Sequence, residues 1–497
     1  MVGGSTKSTA SDRSTNAILA VVAVIASAAL LLWIDKSMYL DEGATLYSIH
    51  LSWGALWQQS RVVDLVLLPY YTLLHLWMEV SDNLAWLRSL SVVAFGLTVF
   101  VTGHLASRLA GRLSGVLVAI LVATNPLLIL AALSTRPYTL SALLAAASVA
   151  ALVRWLESEG ARWMWWFCLA CIGTLLFQLF STLVPLCALV VAAATTPHTF
   201  RRRSKELLAP IGIVVVALAA FAAVTAPQQS QIGWIVAFDH SRSIVSELTG
   251  PAAGGGGLYV TLMLGIVLIS VALIAGAWVW HNVRPTRHEL DLLAIFFGWA
   301  ALPTIILVVV SLVKAVYVDR YVTASAPGLA LVVGLLAARS YRIAAERWPA
   351  RPCALAGGTV FGILTAVVVI FCSVPAASAI TEDLQGAAGY LAAHVKRGDE
   401  IALPDHSVAA GIDYYLQHDH TTLARWPQLQ DQRYIERFDL DQSSQVIARA
   451  PKNVWLVNDG FTTGTETFLF ELWLNHYELV RTMDFTGVQV VHLRRKD

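Results

Sequence analysis

The chain has 497 residues, 57% hydrophobic and 13% charged, with a net charge of +1. Soluble domains carry about 25% charged residues, so this composition excludes a soluble globular protein: lipid must solvate much of the apolar surface. The near-neutral balance leaves no broad basic field, which excludes nucleic acid as the expected partner.

In chain order, residues 1–16 are small and polar and read as a disordered cytoplasmic N-terminus. The apolar run 17–34 follows Lys7 and Arg13 and lacks a clean small-residue cleavage site, so it reads as an uncleaved first span. A helix needs about 20 apolar residues to cross a bilayer. Further runs of that kind fall at 86–104, 113–132, 138–153, 163–179, 181–196, 207–225, 258–280, 290–313, 321–338 and 354–374, eleven spans in all. Cys168 and Cys171 form a CxxC within WFCLACIG, an apolar helix, where small buried side chains are a stronger reading than redox or metal chemistry.

Between the first two spans lies a long loop, 36–85, containing DLVLLPYYTLLHLWMEV (64–80), which reads as an aromatic helix at the membrane surface. With the N-terminus in the cytoplasm, sixteen Lys and Arg fall in the short loops of that side and seven in those of the other. The positive-inside bias therefore favours this orientation. It places residues 36–85 and the tail outside an inner (plasma) membrane. The tail, 375–497, is more polar, with strand-like EIAL (400–403), NVWLV (453–457) and GVQVVHL (487–493) and helical 382–396 and 466–476. It reads as a small extracytoplasmic α/β domain, and the fold class as a polytopic α-helical membrane protein carrying that domain. The expected division is thus 1–16 disordered, 17–374 membrane domain including the outer loop 36–85, and 375–497 outside.

The outer loops gather the chemistry. Asp41, Glu42 and Asp64 lie in the first, Arg136 and Tyr138 in STRPY, and Lys314, Tyr317, Asp319, Arg320 and Tyr321 in KAVYVDRY. A carboxylate can take the proton of a hydroxyl nucleophile. A guanidinium grips phosphate in bidentate fashion. Aromatic rings, here Tyr70, Tyr71, Tyr138, Tyr317 and Tyr321 beside His75, can stack on a sugar. Together these parts fit sugar transfer from a lipid phosphate to a hydroxyl. Taken singly, each has a plain structural reading: a solvated interfacial acid pair, a helix anchor at Arg136, a cap at Asp64, an Asp319–Arg320 pair.

At these residues the chain resembles the GT-C fold glycosyltransferases, in particular the protein O-mannosyltransferase and aminoarabinose-transferase-like group (glycosyltransferase family 39-like). The resemblance rests on YLDEGATLY (39–47), DLVLLPYYTLLHLW (64–77), STRPYTLSALL (134–144) and DRYVTASAPGLALVVG (319–334), in that order across residues 17–374. It implies a polyprenyl-phosphate-sugar donor, inverting transfer and an extracytoplasmic site. It also implies Asp41 as catalytic base, Glu42 as its neighbour that orients or binds acceptor, and Arg136 and Arg320 near the donor phosphate; Lys314, in the same outer loop as Arg320, is the further candidate for phosphate binding. Many relatives carry His-Pro-Pro after the loop Asp; here the text is Leu65-Val66-Leu67-Leu68-Pro69, which removes a histidine suited to a metal. No metal is assigned, and a divalent cation stays open as a cofactor. The Ala/Val/Arg/Trp-rich style resembles actinobacterial members, for which mannose or arabinofuranose is the expected sugar and a cell-envelope glycan, glycolipid or protein the acceptor. Two other classes are a transporter or flippase of a lipid-linked sugar, and a catalytically silent cell-envelope assembly subunit. Transporters keep charges at mid-membrane, whereas here the span centres carry almost none.

Overall fold

The computed structural model describes residues 5–158, 160–232, 235, 285–347, 363, 365–396, 398–403, 406–418, 447–458 and 473–496. In chain order the helices are α1 (Ser5–Leu30), α2 (Leu40–His50), α3 (Trp53–Val62), α4 (Leu68–Met78), α5 (Leu84–Ala110), α6 (Arg112–Ala123), α7 (Pro126–Ala132), α8 (Tyr138–Glu157), α9 (Arg162–Phe177), α10 (Leu183–Thr195), α11 (Pro197–Arg202) and α12 (Ser204–Thr225). They continue with α13 (Arg287–Ser311), α14 (Ala326–Arg347), α15 (Leu384–His394) and α16 (His406–His418). The strands are β1 (Glu400–Ala402), β2 (Asn453–Asn458), β3 (Tyr477–Phe485) and β4 (Val488–Arg495). Helix α1 begins at Ser5, so most of the segment expected to be a disordered tail continues the first span. Extending a nucleated helix fixes one residue per added hydrogen bond, whereas starting one is costly.

Two compact units divide the chain. The described residues of the first fall within Met1–Ile34, Val63–Tyr70 and Asn83–Ala379. Its apolar core runs through Leu19, Phe95, Val118, Val149, Phe167, Trp299 and Leu331, contributed by α1, α5, α6, α8, α9, α13 and α14. Small residues let these helices close in. A Cβ on Gly103 of α5 would stand 3.1 Å from the Gly115 carbonyl oxygen of α6, and one on Gly115 would stand 2.9 Å from that of Gly103. Without a hydrophobic drive between helices in lipid, such close backbone packing supplies the attraction. Outward-facing Val21, Val24, Ile25, Val215, Val216, Val309 and Val313 are exposed, as a lipid solvent requires.

Among the described residues, six helices are long and apolar enough to cross a membrane: Arg13–Trp33, Leu84–Ala110, Tyr138–Glu157, Ser204–Ser230, Arg287–Ser311 and Asp319–Ile343. A seventh is reached if α6 and α7, which meet at 60°, count as one broken span. The expected span 113–132 breaks there because Pro126 forces Asn125 into extended backbone, and the Asn125 side chain caps Leu128 N–H at 3.1 Å. The expected spans 163–179 and 181–196 are the shorter helices α9 and α10, separated at Gln178 in extended conformation. The expected span 258–280 lies outside the described residues, as do residues 354–362 and 364 of the expected span 354–374.

The second unit holds described residues within Asp35–Val62, Tyr71–Asp82 and Ile380–Asp497. Its sheet has the order β1-β2-β4-β3, with β1 parallel to β2 and the other pairs antiparallel. One face buries Val454, Leu456, Tyr477, Val491 and Leu493 around Trp473. On the other, Trp455 stacks flat on His492 at 4.0 Å. Edge strand β3 carries almost no inward pattern, because most of its residues face out, and periodicity misses it. Of the helix expected at 466–476, only residues 473–476 are described.

The division differs from the one expected. Residues 35–62 and 71–82 of the first loop pack with the tail, and Val63–Tyr70 belongs to the first unit. Helix α2 lies on α16 so closely that a Cβ on Gly43 would stand 2.0 Å from the Ser407 carbonyl oxygen. The Met38 N–H donates to the Tyr415 hydroxyl at 2.8 Å, and the Gln385 N–H to the Ser37 hydroxyl at 3.1 Å.

Candidate functional site

In the second unit, extended Tyr39 delivers the chain into α2, whose first turn holds Asp41 and Glu42. Acids at a helix start complement its unpaired N–H groups. Glu42 is fully buried, and its Oε2 accepts the Tyr39 N–H at 3.4 Å, so it reaches back to cap the helix. Asp41 is only half buried. Its backbone carbonyl accepts the Thr45 hydroxyl at 2.9 Å. Burial pushes the Tyr47 phenol up, so this hydroxyl keeps its proton at neutral pH.

Tyr71 is fully buried in α4. His75 is also buried: its Nδ1 lies 2.6 Å from the Ile49 carbonyl oxygen, and its ring meets Trp53 at 4.2 Å. His75 therefore ties α4 to the end of α2 and the start of α3, a contact that explains the residue structurally.

In the first unit, the α7–α8 connection carries Arg136, and Tyr138 opens α8. The Ser91 hydroxyl of α5 holds this connection through the Ser134 carbonyl at 2.7 Å. The 3₁₀ turn Asp319–Ser325 packs against α7, α8 and the turn Leu179–Thr182. Ser141, one turn into α8, meets Ser181 of that last turn at 3.3 Å, so the contact falls at the N-terminal end of α8. The Trp299 indole donates to the Ala324 carbonyl at 2.7 Å, and the Thr323 hydroxyl to the Arg320 carbonyl at 2.8 Å, which fixes the turn. Asp319 accepts the backbone N–H of Arg320 at 2.7 Å. Tyr317 packs with Val316 and Val322, and Tyr321 against Phe180 at 5.1 Å. The unit thus gathers the segments bearing Arg136, Tyr138, Tyr317, Arg320 and Tyr321. Arg136, Arg320 and Tyr321 are partly exposed, and Tyr138 and Tyr317 are buried.

A second grouping was not legible in the sequence. The turn Ala226–Ile232 presents Gln228 and Gln229. Gln228 Oε1 accepts the Leu65 N–H at 2.9 Å, directly after Asp64, and Gln229 Oε1 accepts from Lys314 Nζ at 3.1 Å. Asp64 adopts left-handed backbone, φ 59°, before the short turn Leu65–Leu67 and does not cap it through its side chain. Tyr70 is buried. Only the QQSQ text marks the bridging glutamines, and polar text after a span reads as an ordinary loop. Arg88 is fully buried in α5 and donates to the Ile34 carbonyl at 2.6 Å. Among the described residues no group of three or more His, Cys, Asp or Glu is placed to hold a metal ion.

No protein-family model and no curated protein sequence matches the chain. Two solved structures of ArnT from Cupriavidus metallidurans are similar to it. The apo structure superposes with a TM-score of 0.58 at 13% identity, over 96% of this chain and 97% of that one. The structure bound to undecaprenyl phosphate superposes with a TM-score of 0.53 at 14% identity, over 96% and 97%. The chain has the fold of ArnT. This is the GT-C architecture that the four motifs led us to expect. At 13% identity the likeness to ArnT speaks to the fold, and residue roles need their own argument.

Proposed function

We propose that this protein is an integral-membrane inverting glycosyltransferase. It moves a sugar, mannose or arabinofuranose, from a polyprenyl-phosphate donor to a hydroxyl of a cell-envelope glycan, glycolipid or protein on the extracytoplasmic face of the plasma membrane. The observation that carries the reading is the ArnT fold over almost the whole chain, with one of those ArnT structures bound to undecaprenyl phosphate.

In this proposal Asp41 takes the proton from the acceptor hydroxyl. The freed oxygen pair attacks the anomeric carbon from the face opposite the phosphate. The bond from that carbon to the phosphate oxygen breaks, and polyprenyl phosphate leaves with the electron pair. Arg136 and Arg320, with Lys314, neutralise the charge gathering on that phosphate. Glu42 holds the α2 start that carries Asp41. Tyr321, less buried than Tyr70, Tyr71, Tyr138 and Tyr317, is the aromatic candidate assigned to the sugar in this proposal. Tyr70, Tyr71 and His75 act as scaffold for the surrounding helices, and Asp64 supports the acceptor side.

The test uses purified protein and a synthetic polyprenyl-phosphate sugar. Asp41→Asn should lower turnover by about 10²–10⁴-fold, the usual contribution of a general base, while donor still binds. Undiminished transfer by this variant sinks the base assignment. Arg136→Ala should raise the apparent KM for donor well above that for acceptor. An unchanged donor KM removes the phosphate role.

A further inference from the structure

We infer that the corner where α8 ends and α9 begins is a binding site for the phosphate of an anionic phospholipid headgroup. It lies at the end of α8 remote from Arg136 and Tyr138, so it goes beyond the proposed activity and does not depend on it.

The corner gathers cations from three helices. Arg108 stands in the last turn of α5, Arg154 in the last turn of α8, and Arg162 opens α9. Helix α8 packs along both α5 and α9. Two acids of this region are already engaged. Glu157 pairs with Arg108 at 3.1 Å. Glu206 pairs with Arg203 at 2.6 Å and accepts the Trp155 indole at 2.8 Å. Among the described residues Arg154 and Arg162 enter no ion pair. Both lie against one ring instead: the Cζ of Arg154 is 5.4 Å and that of Arg162 5.3 Å from the centroid of Trp163. The indole attracts and positions the two guanidiniums. Arg108 and Arg162 are near enough to repel Arg154. Like charges gathered in this way favour an anion between them, and the guanidinium fork matches the oxygens of a phosphate.

The outward face of α9 indicates which phosphate. Arg162, Trp165, Leu169 and Leu176 follow one another at helical spacing, so they share a face. Trp165 is 49% exposed and Leu169 60%, with Trp166 beside them at 57%. After Arg162 the helix carries no charge. Indoles favour the boundary between hydrocarbon and water. A guanidinium therefore heads an apolar stripe that starts with indoles and continues in leucine, the order of headgroup, boundary and acyl chain. A soluble phosphate compound would meet the arginines but leave the stripe unused. Basic clusters between helix ends are suited to anionic lipid headgroups.

The experiment uses the full-length protein in detergent, with phosphatidylglycerol or phosphatidylcholine of matched acyl chains. Native mass spectrometry counts bound lipid, and the thermal midpoint reads the stabilisation that a ligand of the folded state confers. The expected result is preferential binding of phosphatidylglycerol with a raised midpoint. The double variant Arg154→Gln/Arg162→Gln should lose roughly 30-fold of that preference, about fivefold for each arginine. If it folds poorly, Arg162→Gln alone, at an exposed side chain, should lose about fivefold. The control Arg112→Gln/Arg201→Gln removes the same charge from exposed side chains at the same end and should keep the preference. An equal loss in the control overturns the inference, because bulk charge then accounts for the binding. Equal binding of the two lipids by unsubstituted protein also overturns it. Glycerophosphoglycerol, the headgroup without acyl chains, should leave the midpoint unmoved at the concentration where the lipid raises it. Protection equal to that by the lipid overturns the assignment to a phospholipid in favour of a free phosphate compound.

Discussion

Asp41 and Glu42 are neighbours with unlike surroundings. Glu42 is spent on the helix it starts, accepting the Tyr39 N–H in a fully buried position, while Asp41 stays half exposed. Two acids in text became one cap and one candidate base. Gly43 beside them shows how tightly that turn is held. Gly43→Ala forces a Cβ against the Ser407 backbone, where neither side can swing away. Overpacking of this kind costs about 1–3 kcal/mol. The variant should therefore lower the thermal midpoint of the purified protein and reduce transfer with it. A full midpoint together with full activity would mean that α2 and α16 have more room than the geometry allows.

At the scale of elements, the α15 side of the sheet carries a polar network that makes the second unit sensitive to acid. Asp399 accepts from Asn453 Nδ2 at 2.8 Å and from the Trp455 indole at 3.1 Å, and Asn453 Oδ1 faces His492 Nε2 at 3.1 Å. Burial holds the His492 imidazole below its ordinary value; Asp399 opposes this, and Arg494 and His394 add to it. Burial alone would raise the Asp399 carboxyl, but hydrogen bonds from Asn453, the Lys396 N–H and Trp455, together with His492, hold it below the usual carboxylate range.

Both groups act in the same direction. An unfolded His492 takes up a proton below about pH 6.5, which the folded one resists, so stability is full above that pH and falls beneath it. Asp399 stabilises the folded state above the ordinary Asp value of about 3.9 and loses that contribution as pH falls through its lower folded value. The thermal midpoint should decline in two acid windows. His492→Gln should flatten the upper one and leave the lower. A midpoint rising from pH 7 to 5 would contradict the scheme.

For the whole molecule, residues 35–62 and 71–82 of the first loop form one unit with the tail, although nearly 300 residues separate them. Cutting at 379 therefore does more than remove an accessory domain. It strips α2 of α16, and Met38 of its Tyr415 partner. A chain of residues 1–379 keeps every candidate site residue, yet it should elute as aggregate in size-exclusion chromatography and lack transfer. A monodisperse, active truncation would show that the membrane unit alone supports the acid-bearing turn.

The sequence by itself determined the class of molecule. Composition and run length demanded lipid solvation, and that demand needs no tertiary knowledge, because apolar surface in excess of any possible core is a count. The strands β1, β2 and β4 and the helix α15 were legible for the same reason: their apolar residues recur at a fixed period. Arg136 and Arg320 could be named from their places beside apolar runs. Tertiary structure decided the rest. That α2 belongs with the tail depends on a glycine allowing two backbones to touch. That Gln228 and Gln229 bridge Leu65 and Lys314 depends on a distant turn returning to both. Contacts between distant segments leave no periodic mark on the text, so only the folded chain could divide the acid pair into a buried cap and a half-buried candidate base.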